Sequence, residues 1–324
     1  MSLPLPEPLA LLKPWALPAH PVVAVIAPAS SARHSRVDVG AAALAARGWQ
    51  LRFGEHAQGR SVPYFSAPVS ERLADLHNAF ADPEVDAILC TRGGYGSNYL
   101  LPWLNLDLIR AHPKPLLGYS DMTAIQTWLL DQLGLPAFHA PLLAGDFYLP
   151  DGVDEASFAA VLGGRTHRYR ASEGLRMLRP GTAQGTLYGG CLTLLAASFG
   201  TPYAPQTEGK LLFLEDVGVK PYQIDRMLRQ FVLAGKLDGV SGIIFGEMLD
   251  CHSPGAPQTL LEGAILHALG DFAGPIAIGL RSGHVSRANV TLPLGVQARL
   301  SVTDSEVTLD LLEPAVRARV DVRS

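Results

Sequence analysis

Ser120, His284 and Glu215 are the residues whose types and settings suit covalent catalysis. Ser120 lies in KPLLGYSDMTAIQTWLLDQLG, residues 114–134. There an apolar run, Pro115 to Tyr119, meets a segment with Met122, Ile125, Trp128, Leu129 and Leu133 at helical spacing. A serine hydroxyl at a strand-to-helix turn is exposed and lies near helix amides. It is a weak nucleophile until a base takes its proton, and the base needs an acceptor that fixes its tautomer. His284, in the polar loop GLRSGHVSRANVTLPLG, is a candidate base, and Glu215, at the end of KLLFLED, a candidate acceptor. Alternation along that strand sends Glu215 and Asp216 to opposite faces. Each residue also has a plainer reading: Ser120 or Asp121 as a helix cap, His284 as a solvated loop residue, and the Glu215–Asp216 pair as a turn or a cap.

The turn Arg92-Gly93-Gly94-Tyr95-Gly96 follows the apolar run VDAILCT. Its glycine amides can approach a ligand closely, as an oxyanion hole or as a dinucleotide loop. Neither GxGxxG nor GxxxxGK[ST] occurs, and Met122 stands where a GxSxG elbow would have its second glycine. Arg92, Arg281 and Arg287 are cations in loops that could capture a carboxylate.

The elements that must position these groups alternate strand and helix. Strand signals at residues 21–29, 50–53, 85–91 and 115–119 are separated by helical patterns, which predicts a Rossmann-like parallel α/β domain over residues 21–145, after an extension at 1–20. Residues 146–184 are irregular and rich in Gly, Pro and Arg, with one helical pattern at 154–162, and are expected to be a linker. Residues 185–324 alternate again and end in β-strands, predicting a second, β-rich α/β domain that carries Glu215 and His284. The 324 residues, with net charge −4 and no basic stripe, indicate neither a nucleic acid nor a membrane as partner. Three scattered cysteines fit a reducing compartment, and no metal-ligand spacing occurs.

The phrases RGGYGSNYLLPWL, LLGYSDMTAIQTWL, YGGCLTLLAASFGTPY, LLFLEDVGVKPYQIDRML and GLRSGHVSRANVTLPLG, in this order, resemble the LD-carboxypeptidases, the S66 serine peptidases. The resemblance runs from about Val22 to the C-terminus. It implies an active site between the two domains, a Ser120–Glu215–His284 triad, and oxyanion donors at the amides of Asp121, Gly93 and Gly94. It further implies removal of the terminal D-alanine from murein tetrapeptides during peptidoglycan recycling, in the cytoplasm, with no cofactor and no metal, by a homodimer. A related branch hydrolyses the peptide antibiotic microcin C, and the short segment between Glu215 and His284 looks more like the murein branch. The family often has FGHG or IGHG around its histidine, whereas Arg281 and Val285 stand near His284 here, so the pocket beside the base is expected to differ. Outside the class, a cleft between two α/β domains could serve a binding protein without catalysis.

Overall fold

The computed structural model describes residues 9–59, 63–252, 255, 257 and 259–319. Short apolar runs buried on both faces become parallel strands, and the periodic segments between them become covering helices. In chain order these are β1 (Val22–Ile26), α1 (His34–Ala46), β2 (Gln50–Phe53), α2 (Val69–Ala81), β3 (Ala87–Cys90), α3 (Leu106–Ala111), β4 (Leu116–Gly118), α4 (Thr123–Leu133) and β5 (Ala137–His139). The chain continues through α5 (Glu155–Leu162), β6 (Arg168–Tyr169), β7 (Arg176–Arg179), β8 (Gly181–Cys191), α6 (Leu192–Ala197) and β9 (Lys210–Glu215). It ends with α7 (Pro221–Leu233), β10 (Gly242–Gly246), α8 (Thr259–Ala268), β11 (Ile276–Leu280), β12 (Leu292–Leu294), β13 (Gln297–Val302) and β14 (Val307–Leu311).

The first sheet runs β12-β5-β4-β3-β1-β2, parallel apart from β12, which pairs antiparallel with β5. The order reverses between β1 and β3, and in doubly wound sheets ligands bind outside the carboxyl ends of the strands at that reversal. The second sheet runs β6-β14-β13-β8-β9-β10-β11-β7; β8 to β11 are parallel and the flanking strands antiparallel. The protein is thus a mixed α/β molecule with two sheets. One apolar core spans both, from Val25, Leu89 and Phe138 to Phe213, Ile244 and Phe245. A second lies under α2, α3 and α4, with Phe80, Ile109 and Ile125. Burying each such side chain contributes about 1.5 to 3 kcal/mol.

Three segments differ from the sequence reading. Residues 146–184, expected to be linker with a single helix at 154–162, contain that helix as α5 but also two edge strands of the second sheet, β6 and β7. β8 is an eleven-residue strand that begins inside the expected linker, at Gly181, and continues through Gly189 and Gly190 to Cys191. β12 leaves the C-terminal half to join the first sheet, and Pro293 is tolerated because that strand is an edge. No helix among the described residues is long and apolar enough to cross a membrane.

Candidate active site

β4 ends at Gly118, and Ser120 begins a 3-10 turn that leads into α4. Its φ of 65° puts a residue with a side chain in the left-handed region, at a cost of about 1 to 3 kcal/mol that the surrounding packing must offset. The conformation turns the hydroxyl out of the strand toward a cavity that Ser120 shares with Gly93, Gly94, Tyr119 and His284. A Cβ on Gly93 would lie 2.6 Å from Ser120 Cβ and 2.8 Å from its Oγ, so only glycine lets that backbone come so close. The amides of Gly93 and Gly94 donate to no group among the described residues, which leaves them to a ligand. Asp121 holds this turn by its other groups: its Oδ2 accepts from Ser97 N at 2.7 Å and its carbonyl from Ser97 Oγ at 2.5 Å. The buried Arg72 braces the turn from behind, with Nη1 donating to Pro28 O at 2.5 Å and Gly96 O at 2.8 Å.

Glu215, at the carboxyl end of β9, is wholly buried. Its Oε2 accepts from His284 Nδ1 at 2.8 Å and from His284 N at 3.0 Å. Asp216 points the other way, as strand alternation requires: its Oδ2 accepts from Thr193 N at 2.9 Å and Thr193 Oγ1 at 2.6 Å, satisfying the start of α6. The Glu215 bond leaves His284 Nε2 free to face the cavity. Ser120 and His284 open onto the same cavity with no direct hydrogen bond between them among the described residues; such catalytic contacts tighten as substrate binds.

The loop bearing His284 is clamped. Gly283 N donates to Asn289 Oδ1 at 3.0 Å, and Asn289 Nδ2 donates to Gly283 O at 3.0 Å and to Asp146 Oδ1 at 3.1 Å. Gly283 has φ 95°, and a Cβ there would come within 2.7 Å of Glu215 Oε2. Burial pushes the Asp146 carboxyl up to about 6, against the hydrogen bonds it accepts. The Tyr119 ring meets His284 edge-on at 5.1 Å.

Burial pushes Glu215 toward the neutral form, but the charge and hydrogen bonds of His284, with His139 close by, outweigh it and hold the carboxyl well below the usual carboxylate range. For His284, burial works downward, but the charge and hydrogen bond of Glu215 together with the charges of Asp216 and Asp146 outweigh it, so its pKa lies above the ordinary value near 6.5. The two consequences run in opposite directions with pH. The stability from protonated His284 is present below about 6.5 and lost as pH rises through the folded pKa. A base must be unprotonated, so the acid limb of kcat/KM is expected above 6.5, the ordinary histidine value. A pH–rate profile checks this, and a midpoint below that value contradicts the Glu215–His284 coupling.

The cations sort into two cavities. Arg92 lines the one beside Ser120, of about 310 Å³, together with Arg33 and Arg36 at the start of α1. Arg281 and Arg287 line a larger one of about 700 Å³ on the other side of His284, with Asp146 and Asp151. Arg281 is partly occupied, donating from Nη2 to Ser172 O at 2.6 Å. Sequence reasoning missed Arg33, Arg36, Asn289, Asp146 and the buried His139. Of these only His139 carried a local signal, an ionisable side chain inside an apolar run.

A two-sheet α/β molecule with serine, imidazole and buried carboxylate converging at strand ends belongs to the class of serine hydrolases. The LD-carboxypeptidase N-terminal domain matches residues 23–140, and the LD-carboxypeptidase C-terminal domain residues 184–300. The chain belongs to the LD-carboxypeptidase family and is a serine-type carboxypeptidase. A probable murein peptide carboxypeptidase of Bacillus subtilis is 36% identical over 302 residues, covering 92% of this chain and 94% of the relative. The murein tetrapeptide carboxypeptidase of Pseudomonas aeruginosa is 32% identical over 296 residues, covering 86% and 92%. The crystal structure of an MccF-like protein from Bacillus anthracis superposes with TM-score 0.83 at 26% identity, covering 93% of this chain and 99% of that one.

Proposed function

We propose that the protein hydrolyses the L,D-peptide bond that joins the terminal D-alanine to the rest of a murein tetrapeptide. Ser120 Oγ attacks the carbonyl carbon of the penultimate residue while His284 takes its proton. Glu215 holds the imidazole in the tautomer that receives it, and the amides of Gly93, Gly94 and Asp121 meet the oxyanion. The C–N bond then breaks, His284 returns the proton to the departing amine, and water activated by the same imidazole hydrolyses the acyl-enzyme.

The observation that carries this reading is the charge of the small cavity. Three guanidinium side chains, Arg33, Arg36 and Arg92, line it beside Ser120, and no carboxylate among the described residues does. That is a site for a small residue with a free carboxylate, the leaving D-alanine. The larger cavity, with Arg281 and Arg287 facing Asp146 and Asp151, suits the remainder of the peptide, whose diamino acid carries both charges. The names of the relatives in Bacillus subtilis and Pseudomonas aeruginosa support the same substrate. Three free, buried cysteines fit a cytoplasmic enzyme, and a homodimer with neither nucleic acid nor membrane as partner completes the proposal.

Amidating the terminal carboxylate removes the charge these arginines are to hold, and should lower kcat/KM by about 10²-fold. Comparable cleavage of the free and amidated peptides would contradict the assignment of the small cavity.

A further inference from the structure

Glu215 has a second histidine against it. His139, at the end of β5 in the first sheet, is wholly buried, and its Nε2 lies 3.8 Å from Glu215 Oε1. Neither atom has a hydrogen-bond partner among the described residues, although both are buried. Both donors that reach the carboxylate from His284 go to Oε2, so Oε1 of a buried, ionised group is left facing His139 alone. Tyr119, Asp146, Cys191, Asp216 and Cys251 are the other titratable groups around the pair, and none donates to Oε1.

The far side of the ring is fixed as well. His139 Nδ1 is 2.9 Å from Ser282 Oγ, two residues before His284. Phe213 packs edge-on to the ring at 5.1 Å and Tyr119 lies tilted to it at 5.7 Å. With the ring neutral, two proton arrangements are open to the Ser282–His139 pair. If Nδ1–H donates to Ser282 Oγ and the hydroxyl to Val290 O, 3.1 Å away, the Nε2 lone pair of a neutral ring faces the carboxylate and repels it. If the hydroxyl donates to Nδ1, the ring carries its proton on Nε2 and points it at Oε1. A buried carboxylate selects the second arrangement, because it turns a repulsion between lone pairs into an attraction.

We propose that His139 is a positioning residue that holds Glu215 Oε1 through Nε2–H, with Ser282 setting its tautomer, so that Oε2 stays aimed at His284. The inference rests on the reading of Glu215 as the residue that orients the base. Its geometry ties the two sheets together at one carboxylate: His139 comes from the first, Glu215 from the second, and His284 from the loop that leads from β11 to β12. His139 lines neither cavity and is wholly buried, so its effect reaches the chemistry only through Glu215.

The test uses the full chain and murein tetrapeptide, with kcat, KM, a pH–rate profile and a thermal melt for each variant. His139→Phe keeps a ring of similar shape and removes both nitrogens. It is expected to lower kcat by about tenfold to a hundredfold with KM within about twofold. It should also move the acid limb about half a pH unit or more to higher pH, since Glu215 loses a donor and its charge then acts on His284 alone. His139→Gln places a carboxamide N–H where Nε2–H was, and is expected to recover most of kcat and return the limb. Should His139→Phe fail to fold, Ser282→Ala tests the same chain: an upward shift of the limb supports the proposal, and an unshifted limb with wild-type kcat overturns it. A folded His139→Phe with wild-type kcat and profile also overturns it, as do equally impaired Phe and Gln variants with an unshifted limb. Glu215→Gln in the same assay separates the two levels. If it is inactive while His139→Phe is normal, only the role of His139 fails; if it is fully active, the reading of Glu215 fails first.

Discussion

Ser120→Ala is expected to lower kcat by at least about 10⁴-fold, to a residue of activity due to binding and the oxyanion donors. The side chain faces a cavity and accepts or donates no hydrogen bond among the described residues, so its removal should leave the melting temperature near the wild-type value. Labelling by a fluorophosphonate probe should vanish with it, which a binding protein without a nucleophile would never have shown. Ser120→Gly is a useful companion, because φ of 65° is strained for alanine and serine but not for glycine. It should be as inactive as Ser120→Ala and melt higher. Near-wild-type turnover in a folded Ser120→Ala protein would remove Ser120 from the mechanism.

Glu215→Gln should lower kcat by about 10³ to 10⁴, since the amide presents an N–H as readily as an oxygen to His284 and favours the tautomer that cannot accept the serine proton. Asp216→Asn is the control. Its carboxylate serves Thr193 N and Oγ1 at the start of α6, so the substitution should cost about 1 kcal/mol of stability and little activity. Steady-state kinetics and melts on the two variants decide between these adjacent acids. A greater loss of kcat in Asp216→Asn would reverse the assignment.

Much of this site was legible because its parts are local. The elbow around Ser120 is an apolar run followed by helical spacing with a glycine stop, and the separation of Glu215 from Asp216 follows from strand alternation alone. Family resemblance linked these segments across the chain. What could not be read is what depends on distant partners. His139 acquires meaning only from Glu215, 76 positions on (139 to 215), and Asn289 only from Gly283 and Asp146 across the fold. Arg33 and Arg36 look like ordinary surface cations until the sheet order brings the carboxyl ends of β1, β3 and β4 together. β8 was hidden by its composition, since GTAQGTLYGGC contains four glycines and its first half is partly exposed. β12 gives no local sign that it crosses to the other sheet.

The most direct measurement is mass spectrometry of murein tetrapeptide incubated with the purified protein, with Ser120→Ala run beside it. The account predicts loss of one alanine, giving tripeptide and free D-alanine, with the amidated tetrapeptide cleaved far more slowly and Ser120→Ala leaving the substrate intact. Intact tetrapeptide after prolonged incubation with an enzyme that the fluorophosphonate probe labels at Ser120, or release of alanine by Ser120→Ala, would contradict it.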